Sequence, residues 1–196
     1  MSAESDPEGQ LVAAARGGDT DAFTELVRRH EGHVLAVCRR MLADPHEAEE
    51  CAQEAFLKAW RNLPRFQERA AFSTWMHRIA VNEALQQIRR RRAPQLSLDD
   101  DALAEHQRLQ TDHAAPQPTD LAEQREVASF LDERLRALPD LLRSAVVLRD
   151  VEGYSNDEVA SLLELSLPAA KARIHRGRMI LRAELEQWRK RDGDRR

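Results

Sequence analysis

Apolar residues recur along residues 8–92 at the three- and four-residue spacing of amphipathic helices. Phe23, Leu26, Val27, His30, Val34, Leu35, Val37 and Met41 mark one helix, which Asp19 is placed to cap. Asp44-Pro45 ends it and opens the next, with proline in a first-turn position. That helix carries Ala48, Ala52, Ala55, Phe56, Ala59 and Trp60, and it is expected to stop near Leu63-Pro64. The short loop RFQERAAF leads to a fourth helix, AAFSTWMHRIAVNEALQQIRRRR, at 70–92.

On this fourth helix Trp75, Arg78, Asn82, Leu85 and Arg89 follow a 3-4-3-4 spacing and so share one stripe. A buried stripe avoids Arg and Asn, and a solvated one has no use for Trp. A ring for stacking, an amide for base edges and guanidinium groups for phosphates suit a single-stranded nucleic acid. Taken alone, the stripe reads at least as well as a core helix with charged edges.

Residues 93–125 lose the helical pattern. Asp99, Asp100, Asp101, Glu105, Asp112, Asp120 and Glu123 face only Arg108 and Arg125, and Pro94, Pro116 and Pro118 interrupt the stretch. The segment reads as a flexible acidic linker. From about residue 126 the periodicity resumes with Val127, Phe130, Leu131, Leu135 and Leu138, which Pro139 ends, and then a helix from Leu141 to Val151. Ser155 with Glu158 is a capping box opening a short helix with Val159, Ala160, Leu162 and Leu163 on its buried side. Glu164-Leu165 makes the turn, and Ser166 caps the last helix, with Pro168 in its first turn. There Ala170, Ile174, Gly177 and Leu181 line one side, Lys171, His175, Arg178 and Arg182 the adjacent one, and Arg173 and Arg176 flank them. A short helix, a tight turn and a longer helix with a basic side make a helix-turn-helix, whose Lys and Arg reach phosphates and guanine edges in a major groove.

The predicted fold is all-α: two helical domains, 8–92 and 126–190, joined by the linker 93–125. Composition sharpens this reading. Aromatic residues are 5%, charged residues 33%, and no alternating β-branched runs occur. The net charge of −4 excludes a generally basic nucleic-acid binder, so charge placement carries the argument. The polar start MSAESDPEGQ is no signal peptide, and no apolar run approaches the ~20 residues of a membrane span. A cytoplasmic protein without membrane insertion is expected. Cys38 and Cys51 then stay thiols, and their spacing from His30 and His33 matches no standard zinc pattern. No phosphate-cradling Gly loop, metal motif or nucleophile with a base is present, so neither an enzyme nor a cofactor is expected.

The stretches EAEECAQEAFLKAW (47–60), FSTWMHRIAVNEALQQIRRRR (72–92) and LPDLLRSAVVLRDVEGYSNDEVASLLELSLPAAKARIHRGRMILRAEL (138–185) resemble regions 2 and 4 of bacterial sigma factors. The resemblance is to the extracytoplasmic-function (ECF) subfamily of the sigma-70 family. It implies a non-catalytic promoter-specificity subunit that binds core RNA polymerase, directs it to −10 and −35 elements of promoter DNA, and leaves after initiation. Region 2 would open and read the −10 element with Phe72, Thr74, Trp75, Arg78 and Asn82, using Phe66 to Phe72 as the capture loop, while Arg89 and Arg90 hold nearby phosphates. Region 4 would read the −35 element with Lys171, Arg173, His175, Arg176 and Arg178, and Arg149 would touch a phosphate. Glu47, Glu49, Glu50, Gln53 and Glu54 would dock on the polymerase β′ clamp helices, with the β flap as a second polymerase contact. The linker would run toward the RNA exit channel, and an anti-sigma factor is the implied regulator. With the chain ending at Arg196, shortly after Trp188, regulation is expected from a separate protein or from expression level.

Three departures from the family pattern bear on the −35 preference. Glu164 stands where the family often has Gly, Pro168-Ala169-Ala170 replaces a frequent Gly-Thr-Val, and Ala172 replaces a frequent Ser. The remaining alternative is a helix-turn-helix regulator that is not a polymerase subunit.

Overall fold

A computed structural model describes residues 7–67, 70–92 and 121–193. The linker reading of 93–120 lies outside the described residues. The chain divides into two compact units, Met1–Ile88 and Arg89–Arg196. Every regular element among the described residues is helical.

The first unit is built from α1 (Pro7–Arg16), α2 (Thr20–Met41), α3 (Pro45–Asn62) and α4 (Phe72–Arg92) as far as Ile88, the last residues of α4 falling in the second unit. Asp19 caps α2 by accepting from the Asp21 and Ala22 N–H groups at 2.9 and 3.0 Å. Asp44 caps α3 from the His46 and Glu47 N–H groups at 2.8 and 3.1 Å, with Pro45 in the first turn. Each cap satisfies donors that have no partner inside the helix.

The buried side of α3 is Ala48, Cys51, Ala52, Ala55 and Ala59, so its backbone lies close against α2, which buries Leu26, Val34, Val37, Cys38 and Met41. Met76, Ala80, Val81, Ala84, Leu85 and Ile88 bury one side of α4. Each fully buried Leu, Val, Ile or Met contributes about 1.5–3 kcal/mol. Glu83 is buried as well, and Lys58 of α3 forms an ion pair with it while its Nζ donates to Gln86 Oε1 at 2.8 Å. Cys38 and Cys51 are buried and free. Their mutual contact first, then burial, pushes the Cys51 thiol far up, with the nearby Glu83 charge adding to the shift and Lys58 opposing it. The reactive thiolate is therefore suppressed, and the pair belongs to the core.

The second unit contains α5 (Leu121–Ala137), α6 (Asp140–Val146), α7 (Asn156–Leu162) and α8 (Leu167–Gly193). α5 begins five residues before the expected linker boundary, because Leu121-Ala122-Glu123-Gln124-Arg125 are all strong helix formers despite following an acidic stretch. The helix expected over 141–151 instead ends at Val146 and continues as a wider turn, Val147–Val151, where the Glu152 N–H reaches back to Val147 O at 2.9 Å. The Ser155–Glu158 capping box forms in both directions, at 2.8 and 3.2 Å, and the Ala169 N–H donates to Ser166 Oγ at 3.3 Å. Phe130 stacks on Trp188 at 5.4 Å, holding α5 to α8.

The turn between α7 and α8 places Glu164 at φ 57°, the left-handed region that costs a residue with a Cβ about 1–2 kcal/mol. Glu164→Gly is expected to raise the stability of this unit by about 1 kcal/mol after the glycine's own entropy loss. A thermal melt that shifts downward instead would contradict the strain at this turn.

Candidate nucleic-acid and partner interfaces

The approach to α4 is a turn at Leu63–Arg65 followed by Phe66, whose N–H bonds Leu63 O at 3.0 Å. Phe66 and Phe72 are both buried, and their rings meet edge to face at 6.2 Å. Trp75 lies 4.7 Å from Phe66 and 5.7 Å from Phe72, and His30 of α2 packs on Phe72 at 5.2 Å. The two ends of the 66–72 loop are thus pinned by one aromatic cluster, each ring pair adding about 0.5–1.5 kcal/mol beyond its burial. Glu68 and Arg69, inside the expected capture loop, lie outside the described residues.

This geometry corrects the sequence-based role of Phe72. At 3% exposure it is core, its ring enclosed by Phe66, Trp75 and His30 and not on the outward side of α4. Trp75 is half-buried in the same cluster, and Leu85 of the expected stripe is buried. What remains outward on α4 is Thr74, Arg78, Asn82 and Arg90, an amide among guanidinium groups, while Arg89, which falls in the second unit, is exposed but already donates to Leu162 O at 2.7 Å and pairs with Glu164 at 3.1 Å. The one acid of α4, Glu83, is turned inward and paired with Lys58, so the outward side is purely cationic and polar.

On α3, Glu49, Glu50, Gln53 and Glu54 are exposed and Glu47 is half-exposed. Glu49 is already engaged by Arg39 of α2 at 3.2 Å. Leu57 continues the Glu50, Gln53 and Glu54 side and is 46% exposed, an apolar side chain on an otherwise charged face. The sequence reading passed over it, although an apolar residue three and four positions beyond Glu54 and Gln53 is a visible signal for a contact surface.

On α8, Lys171 and His175 are exposed and Arg176 is half-exposed, as a face for DNA requires. Arg173 is corrected: at 9% exposure it lies on the buried side beside Ile174, because a helix turns through its core-facing arc at that position. Arg178 is outward but held by Asp150, its Nε donating to Oδ2 at 2.9 Å. Arg149 is half-buried and donates from Nη1 to Tyr154 O at 3.0 Å, bracing the loop that enters α7. Gly177 is where α8 approaches α6: a Cβ there would stand 2.4 Å from Val146 Cγ2. Among the described residues no group of three or more His, Cys, Asp or Glu side chains is arranged to hold a metal ion.

Two stretches match known family models: sigma-70 region 2 over residues 26–93, and sigma-70 region 4 over residues 131–181. The chain is also 33% identical over 179 residues to the ECF RNA polymerase sigma factor SigW of Bacillus subtilis, spanning 89% of this chain and 94% of that one. The chain belongs to the ECF sigma factors of the sigma-70 family.

Two further relatives agree with this assignment. The RNA polymerase sigma-H factor of Pseudomonas aeruginosa is 34% identical, with 90% of this chain and 93% of that one covered. The ECF sigma-E factor of Escherichia coli K12 is 33% identical, with 86% and 88% covered. Among solved structures, CnrH in complex with the cytosolic domain of CnrY superposes with a TM-score of 0.51 at 28% identity, over 93% of this chain and 99% of that one. The sigma factor RpoE of Bartonella quintana, solved with the anti-sigma factor NepR, shares the fold with a TM-score of 0.52 at 21% identity, over 84% of this chain and 96% of that one. In this ECF sigma factor, region 2 therefore comprises most of α2 with α3 and α4, and region 4 runs from α5 into α8.

Proposed function

We propose that this ECF sigma factor confers promoter specificity on core RNA polymerase, with the outward side of α4 capturing the −10 element and the outward side of α8 contacting the −35 element. The observation that carries this reading is the joint occurrence of both sigma regions with an α4 face of Thr74, Arg78 and Asn82 free of outward acids. An amide flanked by guanidinium groups binds base edges and phosphates of an opened strand, beside the half-buried ring of Trp75. Arg90 continues the phosphate track, and Arg89 joins it on giving up its hold on Glu164. On region 4, Lys171, His175 and Arg176 are the DNA-facing side chains, and Arg149 spends one N–H on the Tyr154 loop carbonyl, a guanidinium having further donors to give a phosphate.

Core polymerase is the partner of α3. Glu50, Gln53 and Glu54 steer and register the docking on basic residues of the β′ clamp helices, while Leu57 contributes buried apolar area. Leu57→Ala is expected to weaken core binding about tenfold without loss of thermal stability, since the side chain is already half out of the core. Unchanged affinity in a core-polymerase titration would remove Leu57 from the interface.

The role is that of a binding subunit and not an enzyme, acting in the cytoplasm beside the chromosome. No helix among the described residues is long and apolar enough to cross a membrane. An anti-sigma factor is the expected regulator, in keeping with the CnrH structure, which holds the cytosolic domain of CnrY.

The test is Asn82→Ala in a holoenzyme assembled with core polymerase. Permanganate reactivity of unpaired thymines should fall by tenfold or more, matching the ~1–3 kcal/mol of a lost base contact, while core binding stays at the wild-type level. Full melting by the variant would move −10 capture away from this face of α4.

A further inference from the structure

Asp150 and Arg178 are 28 residues apart in sequence, yet they form a two-pronged ion pair. Arg178 Nε donates to Oδ2 at 2.9 Å, and Nη2 donates to Oδ1. Arg178 lies on the outward side of α8, one turn beyond His175 and two beyond Lys171. Asp150 lies in the wide turn Val147–Val151, whose extra residue per turn carries it toward α8. The pair is reachable by solvent, with side-chain exposures of 52% for Arg178 and 32% for Asp150. A carboxylate offers a guanidinium fork the same pair of oxygens as a phosphate does. Asp150 therefore occupies the edge of Arg178 that a DNA backbone would use.

We propose that Asp150 is a positioning residue that withholds Arg178 from DNA phosphates and so sets the electrostatic strength of region 4 on its −35 element. Arg178 braces α8 against the wide turn, and the basic face neutralises one phosphate fewer than its charges would allow. This rests on the reading of α8 as the −35 contact. A weakened hold suits a subunit that must release the promoter after initiation.

The experiment titrates holoenzyme, made from the full chain and core polymerase, against a fluorescent promoter duplex from which it initiates. Salt runs from about 50 to about 200 mM, and each phosphate neutralised steepens the plot of log affinity on log salt by about 0.9. Asp150→Asn is expected to tighten binding at low salt and to steepen the slope by about that amount. Arg178→Ala alone is expected to leave the wild-type slope in place. In the Arg178→Ala background, Asp150→Asn should no longer change it. A slope that flattens by about 0.9 in Arg178→Ala would put Arg178 on a phosphate already and overturn the proposal, whatever the folding of the Asp150 variant. An unchanged or weakened Asp150→Asn complex would overturn it too. A duplex with a scrambled −35 half separates the two levels. If wild-type holoenzyme ignores the scrambling, the −35 reading itself fails; if it discriminates while the Asp150 variants match wild type, only the present inference fails.

Discussion

Arg143→Ala is expected to cost the second unit about 3–5 kcal/mol of folding stability, the loss typical of breaking a buried ion pair. Arg143 is 1% exposed, the largest fully buried side chain among the described residues. Its guanidinium forms an ion pair with Asp140 one turn earlier and donates from Nη1 to Arg136 O at 2.6 Å. That carbonyl belongs to the last turn of α5, where backbone acceptors lack partners within the helix. Arg143 thus ties the end of α5 to the start of α6. Truncation opens a void, leaves the partly buried Asp140 carboxylate with Arg91 as its remaining cationic partner, and strips the Arg136 carbonyl of a charged donor. Arg143→Lys keeps the charge without the fork and should recover only part of the loss. Chemical denaturation of the full chain measures this directly. A variant within about 0.5 kcal/mol of wild type, the range of an ordinary surface substitution, would show that the pair contributes no net stability.

Gly177→Ala is the second large effect, expected to cost about 1–3 kcal/mol by overpacking, even though alanine is the better helix former. The new Cβ would lie 2.4 Å from Val146 Cγ2 and 3.4 Å from Leu142 O. Val146 is buried, and a β-branched side chain in a helix has essentially one χ1 rotamer, so the clash is relieved only by moving α8 away from α6. That displacement would carry Lys171, His175 and Arg176 with it and lower −35-dependent transcription together with stability. Val146→Ala in the same chain removes the obstructing methyl. The double variant should be more stable than the sum of the two single losses, a coupling that a double-mutant cycle reads out. Strict additivity would mean that the two helices are not held together through this contact.

The parts of the fold that were legible from the sequence are those set by neighbours a few positions apart. Asp19, Ser155 with Glu158, and Ser166 sit where their short polar side chains meet unpaired N–H groups and act as caps, and Asp44, read as a helix boundary with Pro45, caps α3 as well. The two sides of α8 were likewise legible, because Ala170, Ile174 and Gly177 keep helical spacing. What was not legible depends on how elements close on one another in space. Arg143 has Asp140 three residues away, but nothing in the apolar pattern says that the end of α5 will enclose it. Phe72 has the composition of a nucleic-acid contact until Phe66, Trp75 and His30 close around it. Asp150 reaches Arg178 only because the helix widens after Val146, a change in hydrogen-bond step that leaves no mark in the apolar pattern.

The same distinction applies to the candidate sites. Asn82, Arg78, Lys171 and His175 were read from spacing and are outward. Arg178 shares that spacing and Arg173 flanks it, but Arg173 is turned inward and Arg178 is already held. A basic helix face thus overstates the number of its DNA contacts unless burial and ion pairing are taken into account.

The most direct measurement is transcription in vitro by bacterial core polymerase with and without this chain, on a fragmented genome library, with transcript 5′ ends mapped. Discrete new starts preceded by a shared pair of upstream elements are the expected result for an ECF sigma factor. If core polymerase from a bacterium close to the source binds the folded chain and still starts nowhere new, or if the chain binds duplex DNA tightly only in the absence of polymerase, the assignment of promoter specificity to these two faces is contradicted.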